Sequence, residues 1–485
     1  MDFHWSLTTI LFFTDQVIRI GFSTRIVMSK RAQPAALAWL VVILVLPFAG
    51  ACLYLLFGET RLGDRRAERA AAGLDMYKRW IAILKTRSTV AWKELNPICR
   101  LLHRQADALT GIPTLPGNSL QLLDEAEAAL HSIITDIDRA RSSCHLEFYI
   151  WHNGGTADEV AEALIRAAGR GVKCRLLLDS VGSGDFLKSS MARKMRQKGV
   201  EIVEALRAGI IRALFIRVDL RNHRKLVIID GTIAYTGSLN MIDPRYFKQD
   251  HGVGRWVDTM VRVEGPVVET MGGTFLADWI IESGADIRTI SGLADVKPVA
   301  SCGETAVQLV PSGPGFAPDI IYNLLLSTIF AARKELILTT PYFVPDQIIL
   351  SALKAAAVRG VHVTIIVPER VDSRLVQLAS RARYEELVRA GVNIMLFREG
   401  LLHSKTITVD SEFSLIGSVN LDMRSFWLNF EITLFVYDTK FTQLLRKTQQ
   451  RYIAGSVPLD CLAMRHRGFF NRLLENSALL IGPLL

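Results

Sequence analysis

Two stretches decide how this chain folds: NHRKLVIIDGTIAYTGSLN at 222–240 and HSKTITVDSEFSLIGSVN at 403–420. Setting His223 against His403 brings Lys225 onto Lys405, Asp230 onto Asp410, Gly237 onto Gly417, Ser238 onto Ser418 and Asn240 onto Asn420, each pair 180 residues apart. Six identical polar or glycine positions in one register mark a duplicated unit. On a strand, residues i and i+2 project to the same face. His223 and Lys225 therefore emerge together, as do His403 and Lys405. The apolar run 226–229 carries the first strand into a core. Asp230-Gly231 is a hairpin-turn signal, and 232–235 is a return strand. The Gly-Ser-x-Asn that follows brings backbone, hydroxyl and amide donors to the same end.

The duplication extends upstream. ALIRAAGRGVKCRLLLD (163–179) parallels ALKAAAVRGVHVTIIVP (352–368), and MRQKGVEIV (195–203) parallels LVRAGVNIM (387–395). Each is a helical stretch, a glycine break and a short apolar run, which predicts an αβ unit with a buried strand in a parallel or mixed sheet covered by helices. Gly171, Gly199, Gly360 and Gly391 fall where a helix ends and a left-handed residue is expected. The predicted class is α/β, with two pseudo-symmetric lobes sharing one site.

The rest of the chain is less regular. Half of its 485 residues are hydrophobic and the formal net charge is +9, which suits an anionic partner such as acidic lipid, phosphate or nucleic acid. PAALAWLVVILVLPFAGACLYLLF (34–57) carries no charge and reads as a transmembrane helix, with Trp39 and Tyr54 near the two interfaces. Residues 1–33 form a membrane-associated segment, spanning or amphipathic, interrupted by Asp15 and Arg19. The charged stretch 58–116 reads as a helical linker that ends at GIPTLPGN (111–118). The lobes are then expected over 117–300 and 301–485. Six cysteines, none in a CxxC pair and none clustered with histidine at zinc spacing, predict a reducing compartment, no metal and no cofactor.

Two lysines in one pocket repel unless an anion lies between them, and a phosphate fits that need. Lys225 and Lys405 would neutralise its nonbridging oxygens, while Ser238, Asn240, Ser418 and Asn420 would add neutral donors. One imidazole attacks phosphorus; the other protonates the leaving oxygen and then deprotonates the incoming nucleophile. The residues alone do not say which does which. Each imidazole also needs a carboxylate to fix its tautomer. Asp258, 35 residues after His223, and Glu431, 28 after His403, sit in apolar runs where an unpaired carboxylate is costly.

These motifs resemble the phospholipase D superfamily, whose mark is a duplicated HxKxxxxD. LYLLFG (53–58), GIPTLPGN, HLEFYIW (145–151), PYFVPD (341–346), LDMRSFWLNFE (421–431) and GPLL (482–485) make the chain similar to its bacterial cardiolipin synthase branch. The resemblance implies phosphatidyl transfer between two phosphatidylglycerol molecules at an anionic phospholipid membrane, with a phosphohistidine intermediate. It implies His223 as nucleophile, His403 as general acid/base, Asp230 and Asp410 as supports of the catalytic motifs, and Asp258 and Glu431 as histidine-orienting acids. It places the protein in the bacterial inner membrane with a cytoplasmic catalytic body. The alternative is a phospholipase D-type hydrolase or phosphodiesterase, with water replacing the alcohol. The apolar N-terminus and the lack of a basic groove interleaved with aromatics disfavour nucleic acid. A non-catalytic scaffold would have lost a motif. Oligomeric state is left open. Glu147 and Tyr149 point along a strand toward the site, His145, His152, His251 and His362 are read as structural, and the apolar-basic insert 207–221 is expected to meet lipid headgroups.

Overall fold

In the computed structural model, which describes residues 7–29, 33–59, 61–207, 217–286, 296–315, 319–460, 464, 467–480 and 482, both motif stretches are β-hairpins. Lys225–Ile229 pairs antiparallel with Ile233–Gly237, and Thr406–Val409 with Phe413–Gly417. Their turns take positive φ at both central residues: 52° and 63° at Asp230 and Gly231, 52° and 59° at Asp410 and Ser411. That is type I′ geometry, whose twist matches the flanking strands.

The described residues fall into two units, Met1–Ala67 with Ala208–Leu220, and Glu68–Arg207 with Arg221–Leu485. The larger unit holds the sheet. Its strands are β1 (Leu115–Leu123), β2 (Ser143–Phe148), β3 (Lys173–Asp179), β4 (Glu201–Ala205), β5 (Arg221–Asn222), β6 (Lys225–Ile229), β7 (Ile233–Gly237), β8 (Trp256–Val257) and β9 (Met260–Glu264). The second set is β10 (Thr305–Ser312), β11 (Glu335–Thr339), β12 (Phe343–Val344), β13 (His362–Pro368), β14 (Asn393–Phe397), β15 (Leu401–Leu402), β16 (Thr406–Val409), β17 (Phe413–Gly417), β18 (Leu421–Asp422), β19 (Asn429–Tyr437) and β20 (Ser456–Pro458).

One sheet runs β20-β14-β13-β11-β16-β17-β19-β10-β1-β9-β7-β6-β2-β3-β4. Outward from the antiparallel β1–β10 pair, both arms repeat one order and set of directions, an antiparallel run and then two parallel strands reached through helices, and β20 adds a further antiparallel strand beyond β14. The crossover helices Thr156–Gly169 and Gln347–Val358 each bury an alanine- and leucine-rich face. Gly171, Gly199, Gly360 and Gly391 have φ between 86° and 92°, as their places after helices require. Separate apolar clusters fill the two arms, and a third, with Phe275, Trp279, Phe441 and Leu445 over the central strands, joins them.

Residues 68–116 belong to this unit. Helix Pro97–Thr110 buries Cys99, Leu102 and Ala106 in the second arm's core, so it is packed structure where the sequence suggested a linker.

The smaller unit contains helices Leu7–Met28, Gln33–Val45 and Pro47–Leu53 and a π-helical turn, Tyr54–Gly58. The single helix expected over 34–57 is broken: Leu46 leaves helical angles (φ −128°, ψ 69°) before Pro47, whose ring excludes a regular helix one turn back. Among the described residues no helix is long and apolar enough to cross a membrane. Asp15 and Arg19, the charges that interrupt the first apolar run, pair at 2.6 Å across one turn. Ile26, Ile43, Ala51 and Tyr54 form a small core, and Arg25 grips Glu59 through two bonds of 2.7 and 2.6 Å. Much apolar surface stays outside: Leu7, Val17 and Met28 are 73%, 69% and 77% exposed. Of the apolar-basic insert, 208–216 lie outside the described residues; Arg217 pairs with Asp219 at 2.5 Å.

Candidate active site

A cavity of about 450 Å³ in the larger unit is lined by both motif histidines, His223 and His403, and by Asn240 and Asn420. The duplicated strand ends therefore converge on one site.

The carboxylates reach the histidines by a route the sequence does not display. Each acid holds the imidazole of the opposite motif: His223 Nδ1 lies 2.9 and 2.8 Å from the two Glu431 oxygens, and His403 Nδ1 lies 2.7 Å from Asp258 Oδ1. The main chain dictates this exchange. β5, just before His223, pairs in parallel with the start of β19, and β15, just before His403, pairs in parallel with β8. The His223 N–H donates to Phe430 O at 2.9 Å and the His403 N–H to Val257 O at 2.8 Å. Each histidine is thus threaded onto the strand that carries the other motif's acid. With Nδ1 engaged, each ring keeps Nε2 for chemistry.

Ser238 and Ser418, expected as substrate donors, are turned away from the cavity. Ser238 Oγ donates to Asp258 Oδ1 at 2.7 Å and accepts from the Thr259 N–H; Ser418 Oγ donates to Glu431 Oε2 at 2.5 Å and accepts from the Ile432 N–H. They position the orienting acids. Asp230 and Asp410 are also away from the cavity. Asp230 accepts the N–H groups of Arg141, Ser142 and Ser143, and Asp410 those of Arg333, Lys334 and Glu335. A carboxylate in each hairpin turn thus caps the loop entering the neighbouring strand.

Lys225 and Lys405 lie behind the histidines, buried, each donating from Nζ to the main-chain oxygen of its own motif's histidine at 2.7 and 2.6 Å. Two N–H donors remain on each ammonium. Asn240 Oδ1 accepts from the Ile150 N–H at 3.3 Å, whereas Asn420 Oδ1 has no partner among the described residues.

Burial sets the protonation states. It lowers both imidazoles to about 4, against the opposing pull of Glu431 on His223; at His403 the Lys405 ammonium adds to the lowering and Asp258 opposes it. Burial likewise lowers Lys225 to about 7 and Lys405 well below the usual lysine range, with Asp258 and Glu431 pulling the other way. Asp258 is held below the usual carboxylate range: burial opposes this, but His403, Lys405 and the Ser238 hydroxyl together outweigh it.

Sequence reasoning missed much of the cavity wall. Tyr149, a weak candidate, packs edge-on to His223 at 5.1 Å, and Trp256 covers His403 at 4.5 Å. Arg221, Arg424, Asn429 and Asp422 line one part of the wall, and Lys248, Tyr342 and Asp372 another. Arg424, Asn429 and Asp422 lie in LDMRSFWLNFE and Tyr342 in PYFVPD, but no repeat partner marked them as site residues. Glu147 is buried outside the cavity, accepting from Asn222 Nδ2 at 2.6 Å, and burial raises it to about 7. His145 stacks on Phe275 in the core, His152 packs on Phe247, and neither lines the cavity; His362 is exposed at the start of β13. The His251 side chain lies outside the described residues.

Comparison with known proteins agrees with this geometry. The family described as "Cardiolipin synthase, PLD-like domain" matches residues 133–279 and 325–453, and "Phospholipase D-nuclease N-terminal" matches 17–59. The chain is 47% identical to Cardiolipin synthase A of Erwinia tasmaniensis over 483 residues, covering 100% of this chain and 99% of that one. Identity to Cardiolipin synthase A of Serratia proteamaculans is 46% over 483 residues, with the same coverage. Phosphatidylserine synthase of Haemophilus influenzae shares the fold, with a TM-score of 0.60 at 15% identity over 79% of this chain and 99% of that one. Two histidine motifs meeting in one cavity, a matched family spanning both, and full-length relatives at nearly half identity lead to one conclusion: the chain belongs to the phospholipase D-like cardiolipin synthase family.

Proposed function

We propose that the protein is a phosphatidyltransferase that converts two phosphatidylglycerol molecules into cardiolipin and glycerol. The observation that carries this reading is the pair of imidazoles in one cavity, each held at Nδ1 by a buried carboxylate. Neutral His223 attacks phosphorus through Nε2. The bond from phosphorus to the glycerol oxygen breaks, and protonated His403 supplies the proton to that oxygen. His403, now neutral, takes the proton from a hydroxyl of the second phosphatidylglycerol. That oxygen attacks phosphorus, the phosphorus–nitrogen bond breaks, and both histidines return to their starting states. One ester replaces another, so the reaction is reversible.

Burial favours neutral imidazoles, as the nucleophile requires. A diester anion beside His403 favours its charged form and so prepares the acid. Lys225 and Lys405 balance the charge that grows on the nonbridging oxygens, and Asn240 and Asn420 supply polar contacts at the cavity wall. The assignment of His223 as nucleophile follows the family likeness. The exposed apolar side chains of the smaller unit suit contact with a phospholipid bilayer, and we place the larger unit on its cytoplasmic face.

The test uses purified protein in mixed micelles with labelled phosphatidylglycerol, beside His223→Ala, with products separated by chromatography. Cardiolipin and glycerol from the wild type alone support the reading. Phosphatidic acid in their place would make water the acceptor and the protein a phospholipase.

A further inference from the structure

The two motifs are related by a near-perfect repeat, yet the walls beside the two histidines differ. The Tyr342 ring lies 6.5 Å from that of His403, and with Asp372 and Lys248 it forms part of the cavity wall. Tyr342 donates its hydroxyl to Asp372 Oδ1 at 2.8 Å, and Lys248 Nζ donates to Oδ2 at 2.9 Å. The Lys248 backbone takes a positive φ of 47°, a conformation side chains rarely adopt, where its ammonium lies 5.7 Å from the Trp256 ring that covers His403. The position equivalent to Trp256 in the repeat is Asn429, and that part of the wall carries Arg221 and Arg424 instead. Asymmetry in a duplicated site falls where the two ends of the substrate differ.

The proposed reaction says which ends these are. In-line displacement puts the leaving and the attacking alcohol on the same side of phosphorus, opposite His223 and next to His403. In cardiolipin formation both are glycerol groups, so one subsite serves both steps. We infer that Asp372 is a specificity-determining residue that accepts a hydrogen bond from a second hydroxyl of a polyol headgroup beside His403, and that Lys248 keeps this subsite from taking a cationic alcohol. The inference rests on the transferase reading.

The chemistry is direct. Each Asp372 oxygen has one lone pair engaged by its protein partner and another free. Its side chain is 9% exposed, so a hydroxyl that binds there replaces little water. Water as acceptor has no second hydroxyl and gains nothing from the contact. Ethanolamine offers an ammonium, which a bare carboxylate would welcome, but the Lys248 charge already on Asp372 repels it. A neutral polyol is the acceptor that satisfies both groups.

The experiment incubates full-length protein with phosphatidylglycerol in mixed micelles containing added ethanolamine. It measures the ratios of phosphatidic acid and phosphatidylethanolamine to cardiolipin. Ratios compare products of the same folded molecules, so a loss of stability does not move them. Asp372→Asn is expected to raise the phosphatidic acid to cardiolipin ratio about tenfold, the worth of one hydrogen bond to a charged group. Tyr342→Phe, which loosens Asp372 without removing it, is expected to shift the same ratio the same way. Lys248→Gln is expected to raise the phosphatidylethanolamine to cardiolipin ratio about tenfold. Ratios within twofold of the wild type in all three variants would overturn the inference alone. A wild type that makes no cardiolipin would overturn the transferase reading and this inference with it.

Discussion

Replacing Glu431 by glutamine changes one atom and removes the group that fixes the His223 tautomer. Three donors converge on the Glu431 carboxylate: His223 Nδ1 at 2.8–2.9 Å, Ser418 Oγ at 2.5 Å and Asn429 Nδ2 at 3.2 Å. The Ser418 hydroxyl accepts the Ile432 N–H at 2.9 Å and must donate toward Glu431, because a carboxylate oxygen offers no proton. A glutamine has one acceptor oxygen. If that oxygen serves Ser418, the amide N–H2 faces Asn429 and His223, both of them donors. The least costly relief is for the imidazole to move its proton from Nδ1 to Nε2. That tautomer has no lone pair toward phosphorus. A histidine held in the wrong tautomer costs about 10³–10⁴ in kcat, or roughly 4–5.5 kcal/mol of barrier. The shape is kept, so the loss of folding stability should be only about 1–3 kcal/mol. The assay is the initial rate of cardiolipin formation from labelled phosphatidylglycerol, beside a circular dichroism melt. A folded Glu431→Gln protein with kcat within tenfold of the wild type would refute the claim that the opposite motif's acid orients the nucleophile.

Three further outcomes follow from the same geometry. Lys225→Met should lower kcat by about 10²–10³ because a charge on the nonbridging oxygens is lost, yet raise the melting temperature, since a buried ammonium gives way to an apolar side chain of similar size; a fall in both would argue that Lys225 is mainly structural. Asp230→Asn should cost about 1 kcal/mol of stability while kcat stays within about threefold, because the carboxylate serves a turn and not the cavity. Burial raises the Asp230 pKa, but the N–H donors of Ser143, Ser142 and Arg141 outweigh it and leave the group below its ordinary 3.8. Its contribution is therefore present above that value and lost as pH falls through the folded pKa, so melts of variant and wild type should converge in acid. For the histidines the sign is reversed in origin and equal in direction: with folded values of about 4 against 6.5 unfolded, the unfolded chain binds protons that the native state refuses. Stability should fall as pH drops from 6.5 to 4, by about 2–3 kcal/mol per imidazole, and His223→Gln with His403→Gln should flatten that slope in pH-dependent melts.

The sequence made the duplicated hairpins legible because they depend on local rules. Strand periodicity put His223 with Lys225, and Asp230-Gly231 set the turn. Glycine after a helix placed Gly171 and its three counterparts. The crossed pairing was not legible. It comes from the short parallel contacts of β5 with β19 and β8 with β15, between segments roughly 150–210 residues apart, which no local pattern encodes. Ser238 and Ser418 had the right register and the wrong destination, since a register does not say which way a hydroxyl turns. The apolar run 34–57 showed hydrophobicity correctly, but Pro47 interrupts the helix, and a count of apolar residues passes over that. Lys248, Tyr342 and Asp372 stayed hidden because they come from one copy only, and the repeat was the signal that singled out the rest.

Transfer through a phosphohistidine leaves a covalent intermediate that can be trapped. Wild-type protein mixed with ³²P-labelled phosphatidylglycerol is quenched in alkali, where phosphohistidine persists, then digested, and the labelled peptide is identified beside a His223→Asn control. Label is expected on the peptide containing His223, stable in alkali and released by acid, with none in the control. Cardiolipin formed with no label on that peptide, or with the label on His403, would contradict transfer through His223.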